Sequence, residues 1–199
     1  MMVELTRHGQ TILQAEHRYV GATDDPLSAD GAHELVAVSA EACPGRVFVS
    51  ALQRTSQTAR IVFPTANLTV VPGLEEMDFG AYETHRADDL ENDPGYRAWV
   101  EGNCEGRCPG GESKEEFSAR VCAAFSGLLD GAPQTPLTVV AHSGTIMAVM
   151  ERFGRPTRGF FDWYVPWGCG LLLDADDWQR SHTLKLVRHT SHRREDLCP

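Results

Sequence analysis

Two arginines and two histidines stand in this sequence where an anion could be gripped and attacked. Arg7-His8-Gly9 follows one apolar run, Ser50-Ala51-Leu52-Gln53 leads from a second to Arg54, and His142-Ser143-Gly144 follows a third. Singly, each has an ordinary explanation as a surface ion pair or a hydrogen-bonded ring. Together they concentrate positive charge that destabilises a fold unless an anion balances it. A phosphate suits the set, because the planar fork of arginine grips phosphoryl oxygens bidentately and stays charged at any working pH. Helix starts expected near Ala51 and Gly144 add backbone donors and positive dipole ends.

For attack on phosphorus the chain has no Gly-Lys-Ser/Thr phosphate loop, no Cys-x5-Arg and no cluster of metal-binding carboxylates. Imidazole remains. A neutral histidine, with an unperturbed pKa of about 6.5, is a competent nucleophile near neutrality and divides one difficult displacement into two easier ones. The leaving oxygen then needs a proton. Glu75 and Glu76 precede Met77-Asp78-Phe79-Gly80, and a carboxyl beside apolar Phe79 can have its pKa raised enough to supply it. The alternative for either is a solvated surface carboxylate.

An α/β scaffold must deliver these residues. Val3 to Thr6 reads as a short buried strand, His8 to Pro26 as a long loop, and Ser28 as the cap of a helix carrying Leu35, Val36 and Val38. Arg46 to Ser50 gives a second strand, about Leu52 to Phe63 a helix ended by Pro64, and Leu68 to Val71 a third strand. The stretch from Glu75 to Gly111, rich in Asp, Glu, Gly and Pro, predicts short helices and a long excursion over one face of the sheet. Beyond Lys114, Phe117, Val121, Phe125 and Leu128 recur at helical spacing, and Leu137 to Ala141 is a continuous apolar strand of the parallel type. A helix from about Gly144 and strand-like segments near Cys169 to Leu173 and Thr183 to Val187 complete the chain. The alternation predicts a three-layer α/β/α sandwich with a mostly parallel central sheet, whose strand exits share one edge, where such sheets bind ligands.

Bulk properties narrow the classes. The 199 residues suit one well-packed domain, and 42% hydrophobic with 23% charged residues is ordinary for a soluble protein. No apolar run approaches the roughly 20 residues that span a bilayer, and the first residues lack the pattern of a signal peptide. A cytoplasmic protein is expected. The net charge of -10 argues against nucleic acid or an anionic membrane as partner. Cys43, Cys104, Cys108, Cys122, Cys169 and Cys198 are irregularly spaced, which predicts reduced thiols, with Cys104 and Cys108 as loop cysteines rather than metal ligands. Phe160, Phe161, Trp163, Tyr164 and Trp167 are expected in core packing ahead of a homodimer face or a substrate wall, and His189 to Arg194 reads as a frayed tail.

Arg7-His8-Gly9-Gln10-Thr11 is similar to the Arg-His-Gly-x-Thr signature that opens the phosphoglycerate-mutase-like, or histidine phosphatase, superfamily. Tyr19-x-Gly21, Thr23-Asp24, Pro26-Leu27-Ser28-x-x-Gly31, Ser50-x-Leu52-x-Arg54-Thr55-x-Gln57-Thr58-Ala59, Leu74-x-Glu76-x-x-Phe79-Gly80, Pro109-Gly110-Gly111-Glu112-Ser113 and Val139-Val140-Ala141-His142 follow in that family's order. This ordered set spans Leu5 to Ile146.

The resemblance implies one histidine phosphatase domain over 1–199, with a variable cap at about 82–112. It implies that His8 is the nucleophile, that Glu76 rather than Glu75 is the proton donor, and that Arg7, Arg54 and a protonated His142 hold the phosphoryl group. Gln14, Gly21, Thr23 and Ser143 become candidate substrate contacts. Gln14 stands where the family usually has Asn, and Ser143 replaces a common Gly. No metal or other cofactor is implied. The acidic Thr84-His85-Arg86-Ala87-Asp88-Asp89-Leu90 stretch and Tyr96-Arg97-Ala98-Trp99 lack the extra basic residues of the mutases. That favours hydrolysis of a small phosphorylated metabolite, and the pieces are most similar to alpha-ribazole-phosphatase-like members. The alternatives are mutase-type phosphoryl transfer and a non-catalytic phospholigand-binding member.

Overall fold

The computed structural model describes residues 1–132 and 135–197, so Cys198 lies outside the described residues. In chain order the elements are β1 (Met2–Arg7), α1 (Ile12–Ala15), α2 (Ala29–Glu34), β2 (Arg46–Val49), α3 (Gln53–Val62), β3 (Asn67–Val70), α4 (Pro94–Glu101), α5 (Lys114–Asp130), β4 (Leu137–Ala141), α6 (Ser143–Phe153), β5 (Gly154–Arg155), β6 (Cys169–Asp174), α7 (Trp178–Ser181) and β7 (Leu184–Ser191). The strands form one sheet in the order β3-β2-β4-β1-β6-β7-β5. Only β6 runs against its neighbours, β1 and β7; the other pairings are parallel.

Burial on both faces explains this arrangement. All five residues of β4 are buried, as a parallel strand covered on two sides requires. Along β2 the side chains alternate: Val47 and Val49 pack with Ala59, Val62 and Phe63 around α3, while Phe48 joins the larger core. That core holds Phe117, Val121, Phe125 and Leu129 of α5 and Ile146, Val149 and Met150 of α6. Helices therefore cover both faces, and the fold is the expected three-layer α/β/α sandwich with a mostly parallel sheet.

Several elements differ from expectation. The helix capped by Ser28 ends at Glu34, and Leu35 is already extended at φ -75° and ψ 144°. Leu35 still enters the core beside α3, Val36 N–H donates to His192 O and Val38 N–H to Val62 O. Apolar spacing alone does not separate a helix from an extended segment over so short a run. The loop after His8 contains α1, started by a capping box between Thr11 and Gln14. The tail is not frayed: His189 pairs opposite Leu171 in β7, and His192 Nε2 lies 2.9 Å from Glu4 Oε1. Within the excursion, Asp93 caps α4 and Pro94 occupies its first turn, a start signal the composition of the stretch concealed.

Strand register builds the functional edge. Arg7 pairs with Ala141, Val49 with Val140, and His8 N–H donates to Ala141 O at 3.0 Å. The exits of β1, β2 and β4 are thereby neighbours. At the start of α5, Ser113 Oγ accepts the Glu116 N–H while Glu116 Oε2 accepts the Ser113 N–H. Ser113→Ala is expected to lower stability by about 1 kcal/mol, read from the urea unfolding midpoint at unchanged slope.

Candidate active site

His8 and His142 leave the ends of β1 and β4 with ring centroids 5.1 Å apart, both almost fully buried. His8 Nδ1 lies 2.6 Å from Gly9 O. A carbonyl can only accept, so Nδ1 carries the proton and Nε2 keeps its lone pair. His142 is the reverse. Arg54 Nε donates to its Nδ1 at 3.2 Å, so Nε2 carries the proton and donates to Ser50 Oγ at 2.8 Å. Burial holds both rings well below the ordinary imidazole pKa, and the adjacent Arg54 and Arg7 charges push the same way. The expectation of a protonated His142 is corrected accordingly: with Arg54 donating to Nδ1, the ring is neutral.

Arg54, near the start of α3, has no exposed surface. Its Nη1 donates to Thr23 O at 2.8 Å and its Nη2 to Gly21 O at 2.7 Å. Gly21 and Thr23 therefore meet Arg54 through their carbonyls and do not line the cavity described below. A second residue holds that loop. The Glu83 carboxylate accepts from the amides of Gly21, Ala22, Thr23 and Phe79 and from Thr23 Oγ1, the last at 2.6 Å. Only glycine fits at 21, since a Cβ there would lie 1.7 Å from Met77 O. Arg7 is gripped from the opposite side: Nη1 donates to Tyr164 OH (3.1 Å) and Val165 O (2.9 Å), and the guanidinium lies 5.3 and 5.0 Å from the Tyr164 and Trp167 ring centres.

The two glutamates separate cleanly. Glu75 accepts from Ala51 and Gly73 amides and pairs with Arg120, a structural set of contacts. Glu76 turns to the cavity, with Oε1 accepting from Met77 N–H at 3.0 Å and Oε2 from Gly144 N–H at 2.9 Å. Enclosure raises its pKa above the ordinary carboxyl value, against the pull of those amides and of Arg54 and Arg7. A Cβ at Gly144 would meet Glu76 Oε1 at 2.1 Å, so the carboxyl seats against the start of α6 only because residue 144 has no side chain.

A cavity of about 510 Å³ opens over this edge. Arg7, Gln14, Glu76 and Ser143 line its polar end, while His8, Arg54 and His142 are buried beside it. Ser143 Oγ and Arg7 Nε are buried without a hydrogen-bond partner, a costly state for polar atoms in a protein interior and one that a bound anion would relieve. Trp99 and Cys104 of the excursion reach the lining, as do Phe160, Phe161, Tyr164 and Trp167. Trp163 stays in the core, so the aromatic cluster expected in core packing divides between core and cavity wall. Among the described residues, no three His, Cys, Asp or Glu side chains cluster as a metal site requires.

A model of the histidine phosphatase superfamily (branch 1) matches residues 3–181. The chain belongs to this superfamily. A relative from Enterobacter sp. (strain 638), described as "Probable phosphoglycerate mutase GpmB", is 38% identical over 136 residues, which covers 65% of this chain and 63% of that protein. Among solved structures, the alpha-ribazole phosphatase from Shigella flexneri aligns with a TM-score of 0.81 at 26% identity, over 97% of this chain and 98% of its own. A phosphoglycerate mutase from Thermus thermophilus aligns with a TM-score of 0.70 at 29% identity, over 96% and 99%.

In this histidine phosphatase superfamily chain, sequence reasoning overlooked Glu83. Its only signal is an acidic residue four positions after Phe79, which composition cannot distinguish from the acidic surface around it. Glu83→Gln removes acceptor capacity from a carboxylate bonded to four backbone amides. It is expected to cost about 1–3 kcal/mol and to weaken inorganic phosphate binding through release of Arg54, read by thermal unfolding with and without phosphate.

Proposed function

We propose that this protein is a metal-independent phosphatase that hydrolyses a small phosphomonoester through a covalent phosphohistidine on His8. The observation that carries the reading is the His8 tautomer: Nδ1 is held by Gly9 O, which leaves the Nε2 lone pair as nucleophile. In the first step the Nε2–P bond forms as the bond from phosphorus to the leaving oxygen breaks, and Glu76 gives its proton to that oxygen. In the second step the Glu76 carboxylate takes a proton from water, the water oxygen attacks phosphorus, and the N–P bond breaks to release phosphate and neutral His8. Arg7 and Arg54 stabilise charge on the equatorial oxygens. His142 serves by orienting Arg54, and Gln14 and Ser143 are further contacts for the phosphoryl group. Gly21 and Thr23 contribute through Arg54. A cytoplasmic setting, where thiols stay reduced, fits the free Cys43, Cys104, Cys108, Cys122 and Cys169; no helix among the described residues is long and apolar enough to cross a membrane.

Relatives described as phosphoglycerate mutases support a second reading, mutase-type transfer. Hydrolysis is favoured because the cations further along the cavity are already countered. Arg18 pairs with Glu16 at 2.7 Å, and Lys114 lies 3.9 and 3.6 Å from Glu105 and Glu151. A second phosphate would have to displace those carboxylates.

With excess EDTA, the purified protein is expected to hydrolyse p-nitrophenyl phosphate and to yield an acid-labile, base-stable phosphoenzyme. His8→Ala should abolish the adduct and reduce kcat/KM by at least about 1000-fold. Exchange between phosphoglycerates without net phosphate release would instead favour the mutase.

The pH profile follows from the two shifts. His8 must be neutral, so activity rises as pH climbs through its pKa, depressed from 6.5. Glu76 must be protonated, so activity falls as pH climbs through its pKa, raised from 4.5. A bell is expected in kcat/KM, with its acid limb below 6.5 and its alkaline limb above 4.5, and Glu76→Gln should lose the alkaline limb with roughly a 100- to 10,000-fold fall in rate.

A further inference from the structure

The phosphoryl end accounts for one end of the cavity. The rest is walled by Tyr19, Phe79, Trp99, Phe117, Phe160 and Phe161. These rings come from separate parts of the chain: the loop after α1, the excursion, α5 and the turn of 3-10 helix at Phe160–Trp163. Their polar handles are turned into the protein. Tyr19 OH shares a hydrogen bond with Tyr96 OH at 2.8 Å, and Trp99 Nε1 donates to Gly106 O at 3.1 Å. Phe161 is 56% exposed and packs edge-on to Phe160.

The charges in this wall are countered as well. Arg18 Nε is held by Glu16 and its Nη1 donates to Thr84 O at 2.7 Å. Lys114 Nζ sits between two carboxylates and 4.6 Å over the Phe160 ring. His17 stands exposed at the mouth. The Tyr164 hydroxyl and the partnerless Trp167 Nε1 lie beside Arg7 at the phosphoryl end; away from them, an anionic or strongly hydrated group would lose water and find only His17 at the mouth. A flat apolar group would gain ring contacts and leave water. The volume of about 510 Å³ lies within the roughly 300–1,000 Å³ of pockets that enclose whole small molecules.

We infer that this wall is a leaving-group subsite for an uncharged, flat apolar group, such that the substrates are phosphomonoesters of arylalkyl or similarly apolar alcohols. The inference rests on the phosphatase reading above. It is continuous with the reactive edge, because Arg7, Ser143 and Glu76, the proposed proton donor to the leaving oxygen, line the same cavity as Met77 and Phe79.

The test compares kcat/KM for ethyl, benzyl, 2-naphthylmethyl and 4-carboxybenzyl phosphate, which all leave as primary alcohols, together with their dissociation constants by calorimetry. From ethyl to 2-naphthylmethyl, kcat/KM should rise about tenfold or more. The added carboxylate should lower kcat/KM about tenfold or more below benzyl. In Phe161→Ala the 2-naphthylmethyl to ethyl ratio should fall about threefold or more. Turnover without preference across the series, or a carboxylated ester that outperforms benzyl through His17, overturns the subsite while leaving the phosphatase reading intact. If no ester turns over, the phosphatase reading falls. In that case tighter binding of the naphthylmethyl ester would uphold the subsite, and equal or absent binding of all four would overturn it.

Discussion

The Arg54 guanidinium has no exposed surface, and removing such a charge from water costs several kcal/mol unless its donors are met. Much of the surrounding chain is arranged to meet them. The carbonyls of Gly21 and Thr23 accept from it, which obliges the long loop after β1 to pass over α3. That loop in turn needs its own amides satisfied, and Glu83 of the excursion accepts from those of Gly21, Ala22 and Thr23. The approach is so close that residue 21 has no room for a side chain. One buried cation thus ties together the first loop, the start of α3, the exit of β4 and the excursion.

The same cation organises proton positions. By donating to His142 Nδ1, Arg54 sets one histidine as a neutral ring whose other nitrogen points at Ser50. Its charge, with that of Arg7, also helps keep His8 neutral after burial has already lowered its pKa. For Glu76 the balance goes the other way. The arginines and two amides favour the carboxylate, yet enclosure outweighs them and leaves the group easier to protonate than an ordinary glutamate. A neutral imidazole beside a protonatable carboxyl, with two arginines close by, is the combination that the phosphohistidine route proposed above would use.

Relatives with similar folds bear both mutase and phosphatase names. On the phosphohistidine route proposed above, the edge of the sheet suits either chemistry, since both would begin with a phosphoryl group passing to a histidine. What distinguishes them physically lies around the edge: whether cations remain for a second anion, or whether rings with inward-turned polar groups form the wall. In this chain Lys114 and Arg18 are paired and the wall is aromatic. Function is thus decided by the loops mounted on the fold rather than by the fold.

Much of this was legible in the residues themselves. β4, α3, α5 and α6 were readable because burial on both faces makes a continuous apolar strand and one-sided burial makes a helical repeat. The strand exits leading to Arg7, His8, Arg54 and His142 stood out by residue type, and the ordered motifs identified the superfamily. The end of α2 at Glu34, the cap on α4 and the closing strand through His189 were not readable, because short segments take their conformation from what they pack against. Nor could spacing reveal that Gly21 and Thr23 act through Arg54, that Glu83 holds them, or which nitrogen of each histidine carries its proton. Sequence alone determined which chemical groups are present and that strand exits would gather them. Only the tertiary structure decided their charge states and partners, because burial and hydrogen bonds among residues far apart in the chain set both.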